Sequence, residues 1–169
     1  MGGRVLSRRQ SRRKAFELLF ELEQHPAEQP ATIIERTFAN PDVQELYATD
    51  EDADGYVAGQ HDEVSQRYIT ELVLAVTEHE EALDTELAKY PHEWSFDRIG
   101  VPERILLRLA VAEMVYLGTS YKVVINEALD LAKLYAQDEA RKFINGILGS
   151  VVNNLDQLKQ ANTQEGTGS

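Results

Sequence analysis

Apolar residues recur at the spacing of an α-helix along almost the whole chain, and no segment alternates apolar and polar residues as a half-buried strand does. Prolines interrupt the pattern at Pro26, Pro30 and Pro91, where they separate successive helices. The periodicity therefore predicts an all-α fold, a helical bundle of about seven helices arranged as two packed sub-bundles that join near Pro91.

The bounds of the expected helices follow from the periodicity and its breaks. They run from about Ser7 to His25, Pro30 to Asn40, Val43 to Tyr47, Asp62 to Tyr90, Pro102 to Leu117, Lys122 to Tyr135 and Asp138 to Lys159. The helix after Pro102 is apolar almost all round, which predicts a central, buried position. Gly118 is expected to end it, and Asp138 to cap the last helix. Residues 1–160 are expected to form one domain, followed by a disordered tail over residues 161–169.

Positive charge is concentrated at the start of the chain, although the whole chain carries a formal net charge of −12. Six of the 17 basic residues lie within residues 4–14, which we call the basic arm, and no acidic residue precedes Glu17. A basic segment on an acidic body is a common arrangement in proteins that bind a phosphate backbone. The same charges also fit a solvated helix start or a nonspecific basic tail.

The sequence argues against several classes of function. It contains no cysteine, which excludes disulfides, cysteine-ligated zinc and cysteine nucleophiles. Its four histidines are scattered, and there is no nucleophile elbow, P-loop or dinucleotide-binding glycine motif. No apolar run approaches the length of a membrane span, and no secretory signal is visible. We expect a cytoplasmic protein that is not an enzyme and binds no cofactor or metal ion.

One acidic loop resembles the beginning of an EF-hand calcium site. Residues 50–55 read DEDADG, which matches the first positions of that site, but the twelfth position holds His61 where a bidentate glutamate is required. We therefore expect no calcium binding and interpret residues 49–60 as a solvated acidic loop.

Two C-terminal segments carry the most specific motif. Residues 121–133 read YKVVINEALDLAK, and residues 142–148 read KFINGIL. At this spacing the two segments closely resemble the NusB family. The basic start of the chain and the helix over residues 103–113 resemble the same family, so the resemblance covers about residues 7–158.

The resemblance implies an all-α fold of two small helical bundles and a function in transcription antitermination. Members of the family bind the boxA element of leader RNA jointly with NusE, a small-subunit ribosomal protein. The complex helps RNA polymerase to read through terminators, and no catalysis is involved. The implied partners are therefore boxA-type RNA, NusE and the antitermination complex of RNA polymerase. A homodimer stays open, because relatives occur as monomers and as dimers.

The resemblance places RNA-binding residues in two segments. In the basic arm they are Arg8, Arg9, Arg12 and Arg13, which suit phosphate contacts and stacking on splayed bases. At the start of the last helix they are Glu139, Lys142, Phe143 and Asn145. Phe143 also fits an apolar stripe with Ile147, so it is either a stacking platform or a core residue.

The NusE-binding surface implied by the resemblance comprises Phe20, Glu103 and Arg108. Phe20 replaces a tyrosine of the family, so it cannot make any contact through a hydroxyl. Glu103 lies in the first turn of the central helix, where the helix dipole favours an acid, and we expect it to be exposed.

Two other functions stay open. A NusB-like domain also precedes the catalytic part of some ribosomal RNA cytosine methyltransferases, so the chain also fits an RNA-binding module of that kind, although it has no cysteine for their nucleophile. The acidic body also fits an interaction scaffold that binds protein and no RNA. RNA binding by the basic arm distinguishes these functions.

Overall fold

The computed structural model describes residues 7–39, 63–90 and 99–167 of the chain. Every regular element in those ranges is an α-helix, as the periodicity predicts. The ranges contain eight helices: α1 (Arg8–Gln24), α2 (Pro30–Ala39), α3 (Glu63–Thr77), α4 (Glu80–Leu87), α5 (Val101–Tyr116), α6 (Tyr121–Tyr135), α7 (Asp138–Asn153) and α8 (Leu155–Thr167). The acidic loop over residues 49–60 and the short helix predicted near Val43 lie outside the described residues.

The chain forms two compact units, Met1–Leu74 and Ala75–Ser169. The all-α class predicted from the sequence is confirmed. The boundary between the units falls within α3, however, and not near Pro91 as the sequence predicts.

In the N-terminal unit, a capping box fixes the beginning of α1. The Ser7 hydroxyl accepts a hydrogen bond from the Gln10 backbone N–H at 3.1 Å, and the Gln10 side chain accepts one from the Ser7 N–H at 2.9 Å. Arg36 of α2 donates to Glu21 of α1 at 2.6 Å and to Glu28 at 3.1 Å, which joins the two helices at the surface. The buried apolar side chains of this unit include Ala15, Phe16, Leu18, Leu19, Ile33, Ile34, Ile69, Leu72 and Val73.

Helix α5 is the centre of the C-terminal unit. From Ile105 to Met114 every residue is buried, and the helix packs against α4, α6, α7 and α8. The apolar pattern predicts this position, since a helix that is hydrophobic all round is buried on all sides. Gly118 follows the helix with φ +69°, a left-handed conformation that glycine adopts without strain.

The sequence predicts one helix over residues 62–90, but the described residues 63–90 form α3 and α4 with a break between them. At the break the His79 N–H donates to the Val76 carbonyl at 3.2 Å, which is a tighter turn than that of an α-helix. The His79 Nδ1 lies 3.0 Å from the Ala75 carbonyl oxygen, and its ring stacks on Tyr116 with 3.7 Å between ring centroids. The break therefore accompanies a contact with a residue distant in sequence, and no proline or glycine marks it.

The C-terminal helix also differs from the prediction. Asp138 is the first residue of α7 and not its N-cap, which is Gln137. The predicted single helix divides at Asn154 into α7 and α8. Helix α8 continues to Thr167, whereas the sequence predicts a disordered tail from Ala161.

Two glycines of the C-terminal unit are expected to respond in opposite ways to replacement by alanine. Gly118→Ala should lower the free energy of unfolding by about 1 kcal/mol, because φ +69° strains a residue that has a Cβ atom. Gly149→Ala should raise it by about 0.5–1 kcal/mol, because Gly149 lies within α7 and nothing stands within 4 Å of an added Cβ. Urea denaturation of both variants measures the two changes, and changes of the same sign would contradict this account.

Candidate nucleic-acid interface

The described part of the basic arm begins at α1, where Arg8 and Arg9 are exposed. The Arg8 guanidinium lies over the ring of Tyr68 in α3, with 3.8 Å between its central carbon and the ring centroid. A cation–π contact of this kind orients a guanidinium and leaves its N–H groups able to bind other groups. This end of α1 thus presents two arginines to solvent, one of them held against an aromatic ring.

The other two arginines of the arm are less accessible. Arg12 is only 6% exposed, because it lies on the side of α1 that also buries Ala15 and Leu19. Arg13 is half-buried, and its Nε lies 3.5 Å from Glu17 Oε1, one helical turn farther along. The four arginines that the sequence groups together therefore divide into an exposed pair and a pair set into the N-terminal unit.

Lys14 extends this burial of basic groups. It is 5% exposed, and its Nζ lies 3.9 Å from Glu17 Oε2. Burial lowers the pKa of Lys14 from 10.5 to about 8, and the charges of Glu17 and Glu21 offset only part of that shift. The folded N-terminal unit therefore holds the ammonium group at neutral pH at a cost in free energy.

We expect Lys14→Met to stabilise the protein at pH 7 by about 1–3 kcal/mol, because the unfolded chain solvates the charge that the folded chain buries. Between pH 8 and 10.5 the unfolded wild type binds more protons than the folded wild type, so wild-type stability should rise with pH in that window. The advantage of the variant should shrink accordingly. Urea denaturation at pH 7, 8.5 and 10 measures this, and a difference that stays constant with pH would count against it.

At the start of α7, Glu139, Lys142 and Asn145 are exposed. They are spaced three residues apart and so follow one face of the helix. Phe143 instead belongs to the buried stripe with Ile147, and it is 9% exposed. Of the two interpretations that the sequence leaves open for Phe143, the structure supports the core residue.

Phe20 offers accessible surface for a protein partner. It is 36% exposed on α1, and its ring stacks on Phe16 with 6.4 Å between ring centroids. An exposed aromatic ring beside a buried one is a surface feature that suits a protein contact.

Glu103, which the sequence predicts to be exposed, is buried, and so is Arg108. Glu103 is 8% exposed, and its carboxylate folds back against Gly100 at the N-cap of α5. Its Oε2 has no hydrogen-bond partner in the described part of the chain.

Arg108 is 7% exposed and donates from Nε and Nη2 to the two carboxylate oxygens of Asp84 at 2.7 and 2.8 Å. Glu80 lies 3.4 Å from the same guanidinium. Arg108 therefore joins α5 to α4 inside the C-terminal unit.

The sequence does not reveal Tyr68 as the partner of Arg8 or Asp84 as the partner of Arg108. Tyr68 is half-buried and contacts Arg8, which lies 60 positions earlier in the chain. In the sequence Asp84 is not distinguishable from the other acidic residues of α4, although it pairs with Arg108. A single sequence carries no signal for either pair, since both join residues on different helices.

Within residues 7–39, 63–90 and 99–167, no group of three or more histidine, aspartate or glutamate side chains is arranged to hold a metal ion. None of the helices in those ranges combines the length and the apolar character that crossing a membrane requires.

Comparison with known proteins gives consistent matches. The profile of the NusB family matches residues 9–153. The chain is 34% identical to the transcription antitermination protein NusB of Staphylococcus haemolyticus over 146 residues, which are 86% of this chain and 99% of that protein. It is 35% identical to the transcription antitermination protein NusB of Oleidesulfovibrio alaskensis over 155 residues, 91% of this chain and 92% of that protein.

Solved structures with a similar fold include NusB of T. maritima, with a TM-score of 0.64 and 25% identity over 95% of this chain and 93% of that chain. A chain from the crystal structure of antitermination factors NusB and NusE in complex with dsRNA matches with a TM-score of 0.63 and 28% identity. That match covers 91% of this chain and 96% of the other.

Proposed function

This chain belongs to the NusB family, and from that premise we propose that it is a transcription antitermination factor that binds boxA-type single-stranded leader RNA of ribosomal RNA operons together with NusE. It acts in the cytoplasm as part of the antitermination complex of RNA polymerase, and it is not an enzyme. The observation that carries the proposal is the match over most of the chain to a chain from a structure of NusB and NusE in complex with dsRNA.

The accessible basic groups support RNA as the ligand. Arg8 and Arg9 are exposed at the capped start of α1, and Lys142 and Asn145 are exposed at the start of α7. Contacts to phosphates supply affinity that depends on salt, and side-chain amides add hydrogen bonds to base edges. Because the chain is otherwise strongly acidic, RNA should approach at these basic groups and be repelled elsewhere.

For NusE we propose Phe20 as the contact residue, because it is the member of the implied set that offers surface. Glu103 and Arg108 are buried in the C-terminal unit and act by shaping it. A loss of NusE affinity in Phe20→Ala, with an unchanged melting temperature, would support this assignment.

The proposal is tested by titrating a boxA-type RNA and a scrambled RNA at four or five salt concentrations, with and without NusE. We expect tighter binding to the boxA-type RNA, further strengthened by NusE. Replacing Arg8 and Arg9 together by glutamine should lower affinity and flatten the dependence of log affinity on log salt. The slope should fall by about 0.7 for each phosphate that the variant no longer binds, thus by roughly 0.7–1.4.

The matched control replaces Lys133 and Lys159 by glutamine, which changes the net charge by the same amount at positions outside the proposed contacts. Its salt slope should equal that of the wild type. A protein that binds NusE but no RNA at any salt concentration would favour the scaffold over the antitermination factor. Equal affinity for boxA-type and scrambled RNA would favour a general RNA-binding module.

A further inference from the structure

The aromatic ring beneath Arg8 has no role in the function proposed above. Tyr68 is half-buried in α3, and Ile69 and Leu72, which are fully buried, anchor that part of the helix. Arg8 is the first residue of α1, and the capping box at Ser7 fixes the backbone just before it. Structured backbone therefore holds both sides of the 3.8 Å contact.

The polar edge of Arg8 is available to a ligand. Among the described residues its guanidinium forms no hydrogen bond and no ion pair, whereas Arg13 lies in an ion pair with Glu17. A guanidinium carries five N–H donors in its plane, and stacking on a ring leaves them available. Arg8 is exposed, so part of its side chain beyond the contact with Tyr68 is accessible to a ligand.

A planar guanidinium that lies on an aromatic ring is well arranged to stack on a nucleobase. A phosphate binds at the edge of a guanidinium and needs no ring behind it. Arg9, one position along, is also exposed. A base can stack on the open face of Arg8 while the N–H groups bond to its oxygens or nitrogens. Single-stranded RNA supplies unpaired bases that can be splayed out for this purpose.

Resting on the proposed RNA-binding function, we propose that Arg8 is the middle layer of a stack in which Tyr68 lies on one side and a base of the RNA on the other. Tyr68 is the positioning residue, since it holds the guanidinium and does not itself touch the RNA. Arg9 contacts phosphate. The two exposed arginines of the arm thus have different tasks, one reading a base and the other binding the backbone.

Conservative variants separate these tasks. Arg8→Lys keeps the charge but loses the planar group, so RNA affinity should fall about fivefold or more at every salt concentration, with an unchanged salt slope. Arg9→Lys should weaken RNA binding less than Arg8→Lys does, because lysine also binds phosphate as a point charge. Tyr68→Phe keeps the ring and should equal the wild type, whereas Tyr68→Leu should bind about three- to fivefold more weakly.

A spectroscopic measurement locates the stacked base. The probe is a boxA-type RNA carrying 2-aminopurine at one position at a time, bound in the presence of NusE. At one position the fluorescence should change on binding to the wild type and to Tyr68→Phe, and that change should be absent with Arg8→Lys and reduced with Tyr68→Leu. Melting curves of all four variants establish the folded fraction.

The outcomes distinguish this inference from the proposed function. If the protein binds boxA-type RNA but Arg8→Lys and Tyr68→Leu retain wild-type affinity and fluorescence, the stack is overturned and the proposed function stands. If Tyr68→Leu loses affinity only in proportion to its folded fraction, Tyr68 is structural and has no positioning role. If the wild type binds no RNA with NusE present, the proposed function and the stack both fail.

Discussion

Arg108→Ala should lower the free energy of unfolding of the C-terminal unit by about 2–4 kcal/mol. The variant removes the two N–H donors that bind the Asp84 carboxylate at 2.7 and 2.8 Å. It also leaves a cavity in place of the Arg108 side chain, since Arg108 is only 7% exposed. The expected loss stays below that of a fully buried pair, because the Asp84 side chain is 33% exposed and water can replace part of the interaction. Urea denaturation measures the change.

The pair formed by Lys133 and Asp130, 3.4 Å apart, is the matched control, because the side chain of its cation is 61% exposed and that of Arg108 is 8% exposed. Lys133→Ala should cost no more than about 0.5 kcal/mol, as exposed ion pairs usually contribute little. Replacing Arg108 by methionine and Asp84 by leucine together should cost less than either single change, because neither partner is then left buried alone. A fully stable Arg108→Ala that had lost NusE affinity would instead make Arg108 a direct partner contact.

Phe143→Ala should destabilise the same unit by about 3–5 kcal/mol, the range for removing a buried aromatic ring. Phe143 is 9% exposed and packs in the stripe that includes Ile144 and Ile147. RNA affinity should then follow the folded fraction. The experiment combines urea denaturation with RNA titration at a temperature where most of the variant is folded.

Leu134→Ala is the control for Phe143, because Leu134 is a large apolar residue of the same unit that is 58% exposed. Its stability should change by no more than about 0.5 kcal/mol. The contrary result would be a Phe143→Ala variant with wild-type stability and an RNA affinity about fivefold or more below that of the wild type. The Phe143 ring would then be a stacking platform for RNA, although it is buried in the unbound chain.

The sequence predicts the helices well wherever the apolar stripe is continuous and a strong stop ends it. The central position of α5 and the end of that helix at Gly118 follow directly from this pattern. The breaks near His79 and Asn154 are missed, because neither carries a proline or glycine and the first involves stacking on Tyr116.

The sequence predicts which residue types form the candidate site, but it does not predict which of those residues are exposed. Charge clustering identifies the basic arm, but it treats Arg8 and Arg12 as equivalent, and only the packing of α1 shows that Arg12 is buried. Burial of Glu103 is missed for a similar reason, since an acid in the first turn of a helix is usually exposed and here the side chain folds back on Gly100. Residue type thus indicates the chemistry, and tertiary packing decides which groups can reach a ligand.

The position of α5 within its unit has a consequence for how the protein is made. Helix α5 packs against α8, so part of its apolar surface stays uncovered until the ribosome has added roughly 50 further residues, which takes about 3–10 s at ordinary rates of synthesis. During that interval the nascent C-terminal unit exposes part of the largely apolar surface of this helix. A chain whose synthesis stops between α6 and α8 would keep part of this apolar surface exposed, and exposed surface of that kind favours aggregation.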